Sequence, residues 1–209
     1  TTDIIKNNKN MENTLVFVHD ENTNKDYTSL NMYDKKTKAF DVLLMPCDAQ
    51  VSVSESLVKE LRETISDISS TVSMSDVARA FGDKKYETYV KIMEDISGVK
   101  ISGYAVMSSN DFKKLLNAGN TVTYHLDHAV SYRDADNILQ SIEAGDVELD
   151  GDTGYALMTY MDGTDDEETR RLERANDYLT KYMEEIFTKN NNSALAKKYD
   201  SLVKAENTD

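Results

Sequence analysis

Apolar positions along the chain recur in two periods, and these periods predict where strands and helices lie. Short apolar or alternating runs favour strands, whereas apolar residues at three- and four-residue steps favour helices. The predicted strands are 15–18, 27–33, 39–45, 102–107, 121–124 and 129–132. The predicted helices are 54–68, 86–96, 108–116, 135–144, 164–188 and a weak last helix at 194–203. Strands and helices therefore alternate along most of the chain.

Two of the predicted helices carry an apolar stripe that we expect to face a sheet. In the helix at 54–68 the stripe consists of Leu57, Val58, Leu61, Ile65 and Ile68. In the longest helix, at 164–188, it consists of Leu172, Ala175, Leu179, Met183 and Ile186. An acidic first turn, 165–168, suits the positive end of the dipole of this longest helix.

The alternation of strands and helices predicts an α/β fold. We expect a single domain in which a mixed β-sheet is flanked by helices on both faces, an α-β-α sandwich. A length of 209 residues favours one domain over several. Residues 1–12 are predicted to be a flexible lead-in and 13–189 the domain. Residues 190–209 are predicted to be a polar break with a peripheral C-terminal helix.

Charge restricts the classes of partner. The 38 acidic and 24 basic residues give a formal net charge of −14, which disfavours binding to nucleic acid. A local cationic pocket for a phosphorylated ligand remains compatible with this charge. No stretch approaches the run of about 18 apolar residues that a membrane helix needs. The single cysteine, Cys47, excludes an intramolecular disulfide.

Three features imitate metal or nucleophile sites. The segment 146–151 begins like a calcium-binding loop, but its twelfth position is Leu157 and not the bidentate acid, so a polar turn is favoured. His125 and His128 have no third ligand marked by the sequence, and ordinary surface histidines are favoured. The lone thiol of Cys47 is more typical of a small buried side chain than of a nucleophile.

Arg171 and Arg174 are the most informative pair of charged residues. Helical geometry places both to one side of the apolar stripe, about 60° apart. Guanidinium groups in such a position match phosphate oxygens in pairs. The alternative is a solvated face on which the arginines pair with Glu167, Glu168 or Tyr178. The residues alone leave both interpretations open.

Several segments, in their order along the chain, resemble the LytR-CpsA-Psr family. Members of that family are extracytoplasmic enzymes that move a glycopolymer from a polyprenyl-pyrophosphate carrier onto the bacterial cell wall. The resemblance spans roughly residues 13–186. Its landmarks are Asp26 ahead of Tyr27, the turn 34–38, the Met-Pro-Cys-Asp segment 45–48 and the Arg-x-x-Arg start of the long helix. Further similar segments are 77–82, 101–116, 149–151 and 156–160.

The resemblance implies a site with a metal ion and a pyrophosphate. Asp26 and Asp48 stand where the family holds a magnesium ion, and Arg171 and Arg174 stand where it binds the pyrophosphate. We therefore expect Mg²⁺ as the cofactor by resemblance alone. We also expect the two carboxylates and the two guanidinium groups to converge at the mouth of one apolar cavity.

The chain departs from the family pattern at three cationic positions. Cys47 replaces the arginine of the family's Pro-Arg-Asp motif, and Met161 and Gly163 align with its Arg-x-Arg loop. Since arginines that neutralise the transition state contribute several powers of ten to phosphoryl transfer, their loss predicts weak or absent catalysis. The cations near the expected cleft that could substitute for them are Arg79, Lys84, Lys85 and Arg133.

Three functions follow from the resemblance and its departures. The first is an extracytoplasmic domain that binds a polyprenyl-(pyro)phosphate ligand or a cell-wall glycopolymer, with weak or no transferase activity. The second is an active phosphotransferase that attaches glycopolymers to the cell wall. The third is a non-catalytic envelope scaffold that binds a partner protein. In each case we expect attachment to the cell membrane through an upstream helix that is not present in the sequence.

Overall fold

The structure, a computed structural model, describes residues 10–134 and 136–188. Most of the predicted lead-in and all of the predicted C-terminal helix lie outside these residues. The strands are Met11–Asp20 (β1), Lys25–Asp34 (β2), Phe40–Leu44 (β3), Gln50–Ser52 (β4), Thr71–Ser73 (β5), Gly103–Ser108 (β6), Val122–Leu126 (β7), Val130–Arg133 (β8), Leu139–Ile142 (β9) and Gly145–Leu149 (β10). The helices are Glu55–Leu61 (α1), Met74–Phe81 (α2), Lys85–Ser97 (α3), Ser109–Asn117 (α4), Gly151–Thr159 (α5) and Glu167–Thr188 (α6).

The predicted α/β class with a mixed sheet is confirmed. Backbone contacts divide the chain into two compact units. The first unit comprises the described residues up to Phe17 together with Lys25–Val106, and the second comprises Val18–Asn24 and the described residues from Met107 onward. The domain boundaries that we predict from the sequence stay a prediction. In the part of the chain that the structure describes, no helix combines the length and the apolar character needed to cross a membrane.

The first unit is built on the sheet with strand order β3-β2-β1-β6. Strand β1 has neighbours on both sides, and its residues Leu15, Val16 and Phe17 are buried without alternation. This continuous apolar run explains why the sequence predicts a strand there. Strands β2 and β3 pair as an antiparallel hairpin, from Ser29 opposite Leu44 to Tyr33 opposite Phe40, as predicted.

Helices α1 and α3 contribute their apolar faces to the core of the first unit. Helix α3 agrees with the predicted helix at 86–96 to within one residue at each end, and Gly98 ends it by adopting the left-handed conformation (φ 62°) and donating its N–H to the carbonyl of Glu94. The predicted helix at 54–68 is too long, since α1 ends at Leu61. Ile65 is half-buried and Ile68 buried, but both reach the core from turns. Apolar spacing alone does not distinguish these turns from a helix.

The second unit combines helices α4, α5 and α6 with two antiparallel strand pairs, β7 with β10 and β8 with β9. Helix α4 matches the predicted helix at 108–116, and Ser108 caps it by accepting a hydrogen bond from the N–H of Asp111. Asp150 caps α5 and forms a reciprocal capping box with Thr153. Helix α5 contacts both α4 and α6, and its buried residues include Tyr155 and Leu157.

The predicted helix at 135–144 is wrong, because this segment is the second half of a hairpin. Val130 pairs with Ile142 across β8 and β9. Between the strands, Asp134 accepts hydrogen bonds from the N–H of Ile138, and Asn137 has a positive φ of 60°. These local side-chain bonds favour a turn over a helix.

The longest helix is confirmed, but its buried stripe differs from the prediction. The predicted and observed stripes share Ala175 and Ile186. The predicted members Leu172, Leu179 and Met183 are half-buried. The fully buried positions are Arg171, Ala175, Tyr178, Tyr182 and Ile186. Tyrosines and an arginine therefore face the interior, a pattern that a count of aliphatic residues does not detect.

Candidate functional site

Asp26, the first predicted metal ligand, lies in an ion pair within the first unit. The ammonium Nζ of Lys85 is 2.5 Å from Oδ2 of Asp26, and the phenol of Tyr86 donates a hydrogen bond of 3.0 Å to Oδ1. Only 15% of the Lys85 side chain and 10% of the Asp26 side chain are exposed. Both carboxylate oxygens thus contact donors of α3.

Aromatic rings surround this ion pair. The ammonium of Lys85 lies 4.8 Å from the ring centre of Tyr86, whose centroid is in turn 4.8 Å from that of Phe17. Burial, followed by the charge of Asp26, raises the pKa of the Tyr86 phenol. The phenol therefore stays protonated at neutral pH and serves as a hydrogen-bond donor to Asp26.

Asp48, the second predicted metal ligand, is exposed and lies at the start of α2. Its Oδ1 accepts hydrogen bonds from the hydroxyl of Ser73 (3.2 Å) and the N–H of Ser75 (3.3 Å). The pKa of Tyr89 is raised by burial first, and then by the charges of both Asp26 and Asp48. The negative charges of both acids therefore influence the same buried phenol.

These two carboxylates do not form a ready magnesium site. Among the described residues, no group of three His, Cys, Asp or Glu side chains comes together around a possible metal position. Magnesium takes oxygen ligands at about 2.0–2.1 Å in octahedral geometry, usually one or two carboxylates completed by phosphates and waters, so the contacts of each carboxylate decide whether the ion fits. An ammonium group already contacts Asp26, and its charge repels a divalent cation. The residues as arranged do not fit the ion that the resemblance implies.

Arg171, in the second unit, is buried and paired with an acid. Its Nε and Nη2 atoms each donate a hydrogen bond of 2.8 Å to the carboxylate of Glu168, one helical turn earlier. Nη1 lies 3.4 Å from the carbonyl oxygen of Met158. Only 4% of the Arg171 side chain is exposed. Guanidinium groups make the same bidentate contact with carboxylates as with phosphates.

Arg174 binds the end of α5. Its Nη2 donates a hydrogen bond of 2.6 Å to the carbonyl of Tyr160, the residue that ends this helix, and its guanidinium lies 5.3 Å from the Tyr160 ring centre. Nη1 is 3.8 Å from the carboxylate of Asp162. Since Arg171 also contacts the Met158 carbonyl, both arginines place positive charge at the negative end of the α5 dipole.

Asp162, in the loop between α5 and α6, contacts two arginines. Arg170 donates to it from Nε (2.9 Å) and Nη2 (3.1 Å), in addition to the contact with Arg174. The hydrogen bond from Arg170, followed by that from Thr164, holds the pKa of the Asp162 carboxyl well below its usual range. This acid lies between Met161 and Gly163, where the family resemblance places the Arg-x-Arg loop.

Both arginines therefore contact acids of the same chain, as in the alternative interpretation from the sequence. Arg171 pairs with Glu168, one of the partners that the sequence offered. The Arg171 side chain is buried, whereas 30% of the Glu168 side chain is exposed. Asp26 and Asp48 lie in the first unit and the arginines in the second. Convergence of all four at one cavity stays a prediction, as do their roles in metal and pyrophosphate binding.

The other candidate features have structural explanations. Asp146 and Glu148 lie on β10, opposite His125 and Thr123, and are therefore not in a loop that wraps an ion. His125 is exposed and its Nδ1 lies 2.6 Å from Oδ1 of Asp146. Cys47 is half-buried, in keeping with a small packed side chain.

Of the four cations proposed as substitutes, Lys85 contacts a predicted site residue. Arg79 is 79% exposed and pairs with Asp76 on its own helix. Arg133 donates to the carbonyl of Asn137 within its hairpin. Lys84 is exposed.

Sequence reasoning missed two acids. Asp20 is 7% exposed at the end of β1, where Oδ2 accepts a hydrogen bond from Tyr155 (2.8 Å) and Oδ1 accepts from the N–H of Asn22 (2.9 Å). An acid two residues after the buried apolar run 15–18 is the signal that indicates it. Asp162 is the middle residue of the segment that aligns with the family's Arg-x-Arg loop, where the motif specifies only the two flanking arginines.

The strands and helices of the two units place this protein in the α/β class, with partly buried ion pairs on β2, α3 and α6, and sequence comparison identifies its family. The model of the LytR_cpsA_psr family matches residues 4–209, and the chain belongs to this family. Membership supports a role related to cell-wall glycopolymers, with a glycopolymer or polyprenyl carrier as the kind of partner and an extracytoplasmic location. No curated protein sequence matches the chain.

Solved structures share the fold at low sequence identity. A Streptococcus agalactiae protein superposes with a TM-score of 0.70 at 14% identity, covering 95% of this chain and 68% of that one. A transcriptional regulator from Enterococcus faecalis gives 0.63 at 15%, with coverages of 92% and 65%. TagV of B. subtilis gives 0.57 at 16%, with coverages of 84% and 65%. The chain thus spans about two thirds of the length of these proteins.

Proposed function

We propose that the chain is an extracytoplasmic domain that binds a polyprenyl-(pyro)phosphate carrier or a cell-wall glycopolymer, with weak or no transferase activity. Family membership supports the kind of ligand. The observation that supports weak activity is the bidentate pair between the buried Arg171 and the carboxylate of Glu168. A guanidinium whose donors already bind a carboxylate has little capacity left to neutralise a transferring phosphoryl group.

The electrostatics around the second arginine support the same proposal. Phosphoryl transfer is catalysed mainly by positioning and by cations directed at the phosphate oxygens. Arg174 donates to the Tyr160 carbonyl and lies 3.8 Å from Asp162. The family cations at Cys47, Met161 and Gly163 are absent from the sequence. An incoming pyrophosphate therefore meets carboxylates at the positions where transfer requires positive charge.

Two measurements on the same protein test this proposal. A soluble prenyl pyrophosphate is expected to raise the Tm of the wild-type chain, and a lipid-linked glycopolymer donor is expected to give no transfer above the no-enzyme rate. Absence of any Tm increase would refute binding and favour a scaffold. Turnover by the wild-type chain would instead show an active phosphotransferase.

A charge variant tests the role of the acid on Arg171. Glu168→Gln removes the competing carboxylate, and we expect it to strengthen prenyl pyrophosphate binding about tenfold, because one charge-assisted hydrogen bond contributes ~1.5 kcal/mol. Glu173→Gln makes the same charge change at an exposed position of the same helix and is the matched control. Equal effects of the two variants would mean that only net charge matters.

A further inference from the structure

Lys85 is a largely enclosed cation beside the carboxylate that the family resemblance assigns to magnesium. It is the first residue of α3, and only 15% of its side chain is exposed. Its Nζ contacts Oδ2 of Asp26 at 2.5 Å, while the neighbouring Tyr86 holds Oδ1. The chain thus places one positive charge of its own directly on Asp26.

A lysine at this position is unfavourable without its partner. The N-terminal end of a helix is the positive end of its dipole, where cations are disfavoured. Burial adds a desolvation cost, because an ammonium loses water that few protein groups replace. The Asp26 carboxylate and the Tyr86 ring, 4.8 Å from Nζ, offset both costs. The arrangement therefore depends on Asp26 being negatively charged and paired.

A divalent cation would have to displace this ammonium. An Mg²⁺ ion bound to Asp26 would lie beside Nζ, and two cations in a poorly hydrated position repel each other strongly. At Asp48, Oδ1 already accepts hydrogen bonds from Ser73 and Ser75, so it offers a metal ion less than an uncommitted carboxylate would. The local contacts favour an internal ammonium over an external metal ion.

We propose that the Lys85 ammonium replaces a divalent cation at Asp26, so that Mg²⁺ does not bind this carboxylate in the wild-type chain. This inference goes beyond the proposed function, since it concerns the charge balance of the chain without any lipid. It makes ligand binding by this chain independent of magnesium at Asp26. It also assigns Lys85 as the positioning residue for this carboxylate.

Magnesium titration of the full chain tests the proposal. For the wild type we expect no saturable calorimetric signal and the same Tm in Mg²⁺ and in EDTA at matched ionic strength. Lys85→Met exposes Asp26 without a counter-ion, and we expect Mg²⁺ to raise the Tm of this variant by several degrees. Lys84→Met, an exposed neighbour with the same charge change, controls for nonspecific binding to the acidic surface. Adding Asp26→Asn to Lys85→Met should abolish the increase in Tm that Mg²⁺ causes.

A double-mutant cycle without metal provides the second readout. Lys85→Met alone should lower the Tm by roughly 5–10 °C, because an uncompensated buried charge is costly. Adding Asp26→Asn should restore part of this loss, since both charges are then removed. Saturable Mg²⁺ binding by the wild type that Asp26→Asn removes would overturn the proposal. The proposal would also be overturned if the Tm losses of the two single variants added up in the double variant, or if Mg²⁺ did not change the Tm of Lys85→Met. If Lys85→Met does not fold, Lys85→Gln serves in the same cycle.

Discussion

At the scale of single residues, the functional candidates are defined by their counter-ions. Arg171 is held by Glu168, and Asp26 by Lys85. A buried arginine with its carboxylate is costly to separate, because either charge alone would remain poorly solvated. The same side chains that the family would use for a ligand are here part of the folded structure.

Asp162 gives a prediction for pH dependence. Arg170 lowers the pKa of this carboxyl in the folded state, whereas the unfolded value is near 3.8. The resulting stabilisation is complete above the unfolded pKa and is lost as the pH falls through the folded pKa. We expect the difference in unfolding free energy between wild type and Asp162→Asn to be constant from neutral pH to about pH 5 and to shrink in stronger acid.

Urea unfolding at a series of pH values measures this difference. The exposed Asp165, in the same loop, provides the control variant Asp165→Asn, which should change stability little at any pH. A difference for Asp162→Asn that does not depend on pH would contradict the assigned ion pair with Arg170.

At the scale of elements, the contact between α5 and α6 positions both arginines. Gly154 of α5 faces Tyr178 of α6, and a Cβ at Gly154 would lie 2.1 Å from the Tyr178 hydroxyl. Tyr178 is fully buried. The close approach of the two helices brings the carbonyls of Met158 and Tyr160 within reach of α6. Glycine is therefore required here for packing and not for backbone conformation.

The substitution Gly154→Ala tests this helix contact. Alanine favours a helix by up to ~1 kcal/mol over glycine, but overpacking a close contact costs ~1–3 kcal/mol. We expect a net loss of about 1–2 kcal/mol in unfolding free energy, measured by urea or thermal unfolding. Gly103→Ala, where an added Cβ meets nothing within 4 Å, should stay within ~0.5 kcal/mol of wild type. Stabilisation by Gly154→Ala would show that the helices are not in close contact.

At the scale of the whole molecule, charge restricts the surfaces that the chain can approach. With a net charge of −14 and a pI near 4.6, it is repelled by anionic lipid and by nucleic acid at neutral pH. We expect no sedimentation with phosphatidylglycerol vesicles, even at low ionic strength where attraction would be strongest. Neutral phosphatidylcholine vesicles are the control. Binding that salt abolishes would reveal a cationic patch large enough to overcome the net charge.

Sequence and tertiary structure contributed differently to the site. The sequence correctly predicted strands β2 and β3 around the turn 34–38 and helices α3 and α4, because each depends on neighbouring residues. It misassigned 135–144 as a helix, where Asp134 and Asn137 favour a turn. It also misplaced the buried face of α6, since buried tyrosines and Arg171 do not follow an aliphatic pattern.

The sequence by itself determined the α/β class, the family and the residue types at the candidate site, because periodicity and motif order are properties of the chain. Only the tertiary structure decided which charges neutralise one another. The pair of Asp26 with Lys85 joins positions 59 residues apart, and such distant pairing follows from how elements pack. Whether a carboxylate holds a metal or an ammonium is decided by the groups that folding brings to it.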